Sequence, residues 1–187
     1  ICRTPQIAEA AWLRQLRGYA ESLHHILGVV RTNVLGRKDL VTPDKVTGGC
    51  FCGAVGFEIE LPTAFCIHCH CSMCRRPHGA SFVTWTAVPP TQLLITAGQG
   101  HLKTFKSSEH GRRQFCDLCG SQLFCWHTTD KGNEPEVIDV TLASLHGPID
   151  RAPSAHVYYD SRADWTVVHD ALPKLGGPTG LQPLSEP

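Results

Sequence analysis

Charged side chains are scarce in this sequence of 187 residues, and neither sign predominates. Lys and Arg together number 17, Asp and Glu together number 17, and charged residues make up only 18% of the chain. A chain without net charge has no overall field that would draw it to a phosphate backbone or to anionic lipid. The composition therefore disfavours a nucleic-acid-binding protein and a membrane-surface protein.

The sequence also lacks a long apolar run. No stretch approaches the ~20 consecutive apolar residues that cross a bilayer, and no charged start is followed by an apolar segment and a small-residue cleavage site. We therefore expect a soluble, unsecreted, cytoplasmic protein, and we expect a chain that begins with Ile1 to lack its natural start. With 42% hydrophobic residues, the chain can bury one sizeable core.

The first 45 residues differ from the rest of the chain. Apolar residues recur there at every third or fourth position between Trp12 and Val30, a spacing that predicts an amphipathic helix. We interpret residues 1–45 as a helical N-terminal extension without assigned chemistry. Residues 46–175 are predicted to form the folded domain, and residues 176–187, rich in Gly and Pro, a flexible tail.

From Thr47 onward the sequence is typical of a mainly β domain, because short extended runs are separated by turns of Gly, Pro and Ser. A short helix is predicted after Ser72, which would cap it, and Pro77 would end it. Strands are predicted at residues 55–61, 81–88, 93–96, 101–106, 121–126, 136–142 and 155–159.

Cysteine is abundant, with ten residues, and seven of them fall in three tight clusters that read CFC, CHCSMC and CDLC. Cysteines one or two residues apart in a turn can direct two thiolates to one cation, whereas a CxC pair is too constrained for an ordinary disulfide. These seven are Cys50, Cys52, Cys69, Cys71, Cys74, Cys116 and Cys119. The clusters therefore predict zinc.

Seven ligands suit one closed site of four thiolates and one open site of three. Cys50 and Cys52 would join Cys116 and Cys119, and a glycine that permits a tight turn follows each pair. Four thiolates leave zinc no position for a substrate, so this site is predicted to be structural. It would connect the first strand to a hairpin far along the chain.

Cys69, Cys71 and Cys74 remain, in the order CxCxxC. Three thiolates from six consecutive residues hold a metal from one side, which leaves a fourth position open to water, a thiol or a carbonyl. A protein ligand could instead fill that position, and four side chains are candidates: Cys66, His68, His70 and His78. A second alternative pairs the clusters in sequence order, with Cys66 as an eighth ligand and both sites closed.

Ordered motifs across much of the chain carry a resemblance. The segments are GGCFCGAVGFE at 48–58, CHCSMCRRPHGASF at 69–82, SS at 107–108, RQFCDLCGSQLF at 113–124 and HVYYDSRADW at 156–165. They resemble the glutathione-dependent formaldehyde-activating family from Gly48 to about Leu175. The resemblance implies a fold of coiled antiparallel sheets, the β-tent, built around zinc-cysteine knuckles, with two zinc ions per chain.

The resemblance also implies site residues and a reaction. Its structural zinc ligands fall on Cys50, Cys52, Cys116 and Cys119, and its catalytic zinc ligands fall on Cys69, Cys71 and Cys74. The implied enzyme is a carbon–sulfur lyase that joins glutathione, as co-substrate, to formaldehyde or another small aldehyde, giving S-(hydroxymethyl)glutathione. Because zinc is thiophilic, a thiol in the open position would ionise near neutral pH and become a nucleophile.

Three residues near the last ligand are candidates for substrate contact. Arg75 and Arg76 could bind a glutathione carboxylate, and His78 could relay the released proton. Arg113, three residues before Cys116, could donate hydrogen bonds to the structural thiolates.

Two other function classes stay open at this point. A non-catalytic, zinc-stapled module could bind a thiol or a protein partner, and two closed metal sites would favour it. A zinc ribbon that binds nucleic acid is the least compatible with the neutral charge balance. The sequence is also compatible with a homo-oligomer.

Overall fold

The computed structural model describes residues 44–128 and 135–184, and the predicted N-terminal helix lies outside them. Within the described residues the protein is mainly β, with one α-helix and four short 3-10 turns, which confirms the predicted fold class. No helix in this part of the chain has the length and apolar character needed to span a membrane. The domain boundaries stay predictions.

Twelve strands form three sheets in the described part of the chain. They are β1 (Lys45–Gly49), β2 (Gly56–Glu60), β3 (Cys66–Cys69), β4 (Val83–Val88), β5 (Leu93–Ala97), β6 (Leu102–Lys106), β7 (Gly111–Cys116), β8 (Gln122–His127), β9 (Ile138–Thr141), β10 (His156–Val157), β11 (Leu175–Gly176) and β12 (Gln182–Pro183). Helix α1 spans Ser72–His78, between β3 and β4 in the chain. Each predicted strand is present, with shifted ends.

The largest sheet has seven strands in the order β10-β3-β4-β9-β8-β7-β6. Its neighbours are antiparallel except β10 and β3, which run parallel and align Val157 with Cys69. Strands β1, β2 and β5 form a three-stranded antiparallel sheet, and β11 and β12 form a short hairpin. The CHCSMC segment therefore begins on a strand inside the large sheet.

The two faces of the seven-stranded sheet pack against different partners. Phe124 and Val140 lie on one face and belong to a core shared with the three-stranded sheet, where the rings of Phe124 and Phe57 are 4.8 Å apart. Trp85 and Cys125 lie on the other face, in a second buried cluster that includes two cysteines of the CHCSMC segment. The sheet thus separates the core from the region around α1.

Helix α1 is capped differently from the prediction. Its N-cap is Cys71, not Ser72, because the N–H groups of Cys74 and Arg75 donate to the Cys71 carbonyl oxygen at 3.1 and 3.0 Å. Pro77 lies inside the helix, which ends at a glycine in the left-handed conformation with φ 57°. The glycine can adopt this conformation without steric cost, so it sets the helix end in place of the proline.

Candidate metal centres

Four cysteines converge where two turns meet. Cys50 and Cys52 follow β1, while Cys116 ends β7 and Cys119 lies in the turn to β8. All four Sγ atoms lie within 4.8 Å of one another, with 3.5 Å between Cys50 and Cys52 and 3.9 Å between Cys52 and Cys116. A regular tetrahedron with Zn–S bonds of about 2.3 Å places its sulfurs about 3.8 Å apart. The four side chains therefore fit a tetrahedral zinc ion.

Hydrogen bonds favour the thiolate form of two of these four cysteines, Cys50 and Cys119. The N–H of Val55 donates to Cys50 Sγ at 3.2 Å, and hydrogen bonding with Ser121 lowers the pKa of Cys119 to about 5. The N–H of Phe51 donates to the same Ser121 hydroxyl at 3.0 Å, which ties the two turns together. A glycine follows each cysteine pair, with φ of 77° and 75°, as the predicted tight turns require.

The second cluster consists of Cys69, Cys71 and Cys74, whose Sγ atoms also lie within 4.8 Å of one another. Cys69 ends β3, Cys71 caps α1 and Cys74 lies in its first turn. The Sγ atoms of Cys69 and Cys71 are 3.5 Å apart, again close to the tetrahedral spacing. Hydrogen bonds from Cys69 and Cys74 lower the pKa of Cys71 to about 3. This donor set suits a metal that prefers sulfur.

The three-cysteine cluster has an open side. No fourth Cys, His, Asp or Glu of the described residues places a ligand atom within 4.8 Å of all three sulfurs. Cys66 lies at the other end of β3, and alternation along the strand directs its side chain to the opposite face from Cys69. His68 is engaged elsewhere, with Nδ1 2.9 Å from Thr84 Oγ1. Two of the four candidate fourth ligands therefore point away.

His70 also points away from the cysteines, into a buried network. Its Nε2 lies 2.8 Å from Nδ1 of His156, whose Nε2 lies 3.0 Å from Asp170 Oδ2. Both histidines are fully buried, and the rings of Phe82 and Tyr159 pack around them. Burial, with a contribution from His156, lowers the pKa of His70 to about 4. This network, which the sequence did not predict, anchors the backbone between two of the cysteines.

The residues predicted to contact substrate lie in different settings. Arg75 donates from Nε to the His70 carbonyl at 2.9 Å and from Nη2 to the Ser161 carbonyl at 3.2 Å. Arg76 is exposed on α1. His78 is half-buried and packs edge-on against the tryptophan of β4, with ring centroids 5.3 Å apart. Arg75 thus braces the helix, while Arg76 and His78 stay candidates for substrate contact.

Arg113 contacts the three-cysteine cluster. Its Nη2 donates to Cys74 Sγ at 3.8 Å, and the residue is only 6% exposed. The prediction that Arg113 donates to the structural thiolates was therefore wrong. Residues three apart on one strand project to opposite faces, so Arg113 and Cys116 face different sides of the sheet. The spacing of three residues between Arg113 and Cys116 already indicated this difference in the sequence.

A groove of about 900 Å³ runs from the four-cysteine turn to the end of α1. Phe51, which is 94% exposed, lies at one end of the groove, and His78 lies at the other. Its size falls in the range of small-molecule sites. Other lining residues are Phe82, Ser121, Gln122 and His146.

This chain is similar to known proteins of one family. A family model described as glutathione-dependent formaldehyde-activating enzyme matches residues 45–161, which include both clusters. A Halomonas elongata protein, provisionally named for that activity, is 24% identical over 128 residues, 65% of this chain and 79% of the relative. A Podospora anserina protein with the same provisional name is 34% identical over 91 residues, 45% of this chain and 43% of the relative.

A solved structure is also similar. The crystal structure of a Rhodobacter sphaeroides protein matches with 27% identity and a TM-score of 0.45, covering 56% of this chain and 91% of that one. This chain thus spans most of the Halomonas relative and less than half of the Podospora relative. Because the family model matches more than half of its length, the chain belongs to the glutathione-dependent formaldehyde-activating family.

Proposed function

We propose that this protein is an enzyme that joins glutathione to formaldehyde, or to another small aldehyde, at the three-cysteine cluster. A bond forms between the glutathione sulfur and the carbonyl carbon, and the thiol proton ends on the carbonyl oxygen, with no oxidation or reduction. The reaction is that of a carbon–sulfur lyase in its synthetic direction. One observation carries the proposal: three clustered sulfurs lack a fourth protein ligand among the described residues.

The two clusters would divide structural and catalytic work. Cys69, Cys71 and Cys74 would hold one zinc ion from a single side, and the four-cysteine cluster would hold a second that is closed to substrates. Zinc in the open cluster would supply a position at which a thiol loses its proton near neutral pH. Cys69 and Cys74 are buried on a strand and a helix, so they are preorganised, whereas the half-buried Cys71 gives access from solvent.

The groove has the volume of a small-molecule site, and its lining includes His78 but none of the three cysteines. His78 lies one helical turn after Cys74, and we infer that it would move a proton between the thiol sulfur and the aldehyde oxygen. Arg76 is exposed on the same helix, where it could bind a glutathione carboxylate. We include a cytoplasmic location in the proposal, since free cysteines and glutathione suit a reducing compartment.

The proposal is tested by exchange NMR on formaldehyde, glutathione and their adduct, with the protein-free rate subtracted because the reaction also occurs unaided. Wild-type protein should exceed that rate, and Cys71→Ser protein should fall to it. The variant should stay folded and retain one zinc, since the four-cysteine cluster is separate. Cys66→Ala is the matched control on the same strand, with its side chain on the opposite face, and should keep both zinc ions and the acceleration.

Wild-type protein that holds two zinc ions and gives no acceleration would reject this substrate pair. The alternative would then be a zinc-stapled module that binds a thiol or a protein partner without turnover. Glutathione binding, measured by calorimetry on the same samples, would separate a thiol-binding module from a protein-binding one.

A further inference from the structure

Arg113 holds a positive charge in the interior without the usual partners. Only 6% of the residue is exposed, and its Nε and Nη1 atoms are buried with no hydrogen-bond partner. Its one described hydrogen bond runs from Nη2 to Cys74 Sγ. Isolated buried charges are strongly destabilising unless another charge compensates them. Cys74 Sγ is therefore the group through which the three-cysteine cluster, once ionised by a bound metal, would compensate Arg113.

The carboxyl group closest in the sheet is a weak alternative. Asp139 lies on β9 opposite Cys125, which is in turn the cross-strand neighbour of Arg113. No described hydrogen bond joins Asp139 to Arg113. Burial raises the pKa of Asp139 to about 7, so this carboxyl is not a fixed anion at neutral pH. The Cys74 sulfur thus remains the group that accepts a described hydrogen bond from the guanidinium.

Within the described part of the chain, no Arg or Lys side chain donates a hydrogen bond to a sulfur of the four-cysteine cluster. Its sulfurs contact neutral groups, since the Val55 N–H donates to Cys50 Sγ and the Ser121 hydroxyl lies 3.3 Å from Cys119 Sγ. One of its cysteines, Cys52, is also exposed, so water can screen charge on that side of the cluster. Among the described residues, the buried Arg113 therefore contacts the three-cysteine cluster, which has an open side, and not the four-cysteine cluster.

Arg113 would change the net charge of the three-cysteine cluster when zinc is bound. Three thiolates and one Zn²⁺ ion sum to a single negative charge, which the guanidinium cancels. An incoming thiolate would leave one net negative charge with Arg113 in place and two without it. Because charges interact strongly in a buried site, the cation favours an anionic fourth ligand.

We propose that Arg113 is a positioning residue whose charge enables the three-cysteine cluster to accept a thiolate as its fourth ligand. The cluster would consequently select a thiol that binds as an anion over a neutral thioether of the same shape. The inference rests on the proposed function because it concerns the same cluster. It addresses thiol binding, however, and not the aldehyde step, so the two can fail separately.

The test is ¹¹³Cd NMR of the full chain loaded with cadmium and titrated with 2-mercaptoethanol or glutathione at constant pH. The resonance of the three-sulfur cluster should shift as thiol binds, while that of the four-sulfur cluster serves as an internal control. Arg113→Met should weaken thiol affinity by about ten- to a hundredfold, and Arg113→Lys should restore most of it. Arg112→Met is the control, since Arg112 lies on the opposite face of the same strand.

Thiol affinity in Arg113→Met equal to that of wild type, with both cadmium resonances present, would overturn the proposal. Should that variant not fold, wild-type protein still decides, because 2-mercaptoethanol must bind where its S-methyl ether does not. Equal binding of the two, or no thiol binding at all, also overturns the proposal. Wild-type protein that binds thiol but does not speed the condensation overturns only the proposed function.

Discussion

At the scale of single residues, two adjacent arginines on α1 differ in what they contact. Arg75 donates to two backbone carbonyls, that of His70, between Cys69 and Cys71, and that of Ser161. Arg76 is exposed and free to meet a ligand. Because the two arginines are adjacent, the sequence predicted that either could bind a substrate carboxylate. Successive side chains on a helix point about 100° apart, so the two arginines meet different surroundings.

We expect Arg75→Gln to lower the free energy of unfolding by about 1–2 kcal/mol, because charge-assisted hydrogen bonds to two carbonyls are lost. Arg76→Gln should change it by less than about 0.5 kcal/mol, and should raise the KM for glutathione without lowering kcat if Arg76 binds a carboxylate. Urea unfolding and steady-state kinetics measure the two effects. Equal stability losses in both variants would contradict the distinct placements.

The cysteine clusters could be predicted from residue spacing, but the contacts between residues far apart in the sequence could not. CxC and CxxC spacings bring thiolates together within one turn, whatever the rest of the fold does. The contact between Arg113 and Cys74 depends instead on how strands and helix pack across 39 positions. The buried pair of His70 and His156 spans 86 positions, and only the parallel alignment of β10 with β3 brings them together.

At the scale of elements, alternation predicted the strands whose apolar residues face one core. In the two larger sheets, strands β1, β3 and β7 were not predicted, because their sequences KVTGG, CIHC and GRRQFC lack a regular apolar alternation. Their positions are occupied by glycines, by cysteines and by the inward-facing arginine. Tertiary packing, which a propensity pattern does not contain, determines these strands.

One turn packs so closely on the four-cysteine cluster that only glycine fits. Gly98 has φ 70°, and a Cβ there would lie 1.8 Å from the carbonyl oxygen of Ala54, next to the Val55 N–H that donates to Cys50. We expect Gly98→Ala to lower the free energy of unfolding by at least about 2 kcal/mol. The same variant should release its zinc faster to a chromophoric chelator.

Gly100 provides the matched control for this turn. A Cβ at Gly100 would meet nothing within 4 Å, and its φ is not in the left-handed region. Gly100→Ala should therefore stay within about 0.5 kcal/mol of wild type, with an unchanged rate of zinc release. Equal stability and equal zinc release in the two alanine variants would show that the backbone near Ala54 relaxes readily, and would contradict the requirement for glycine at position 98.

At the scale of the whole molecule, the two cysteine clusters constrain the fold to different extents. The four-cysteine cluster connects segments 64 positions apart, as the contact between Cys52 and Cys116 shows. The three-cysteine cluster comes from six consecutive residues and constrains little beyond the start of α1. Closing a long loop removes more entropy from the unfolded chain than closing a short one, so a metal ion bound in the four-cysteine cluster would stabilise the whole domain more than one in the three-cysteine cluster.

Acid should weaken the domain through its buried histidines. His70 is fully buried, and burial lowers its pKa from 6.5 to about 4. The unfolded chain therefore binds this proton at a higher pH than the folded chain, and the free energy of unfolding falls as pH drops from about 6.5 to about 4. The full difference corresponds to about 3 kcal/mol. Burial also lowers the pKa of His68 and of His78, which adds to the same slope.

The measurement is urea unfolding of wild-type and His70→Gln protein between pH 4.5 and 6.5, about the window in which this histidine titrates. Zinc release is followed in parallel, because protonation of ligand thiolates also destabilises the fold at low pH. Over the range in which both proteins keep their zinc, the variant should show the shallower loss of stability, since it lacks one acid-titrating group. Identical slopes in that range would contradict the assignment of the proton to His70.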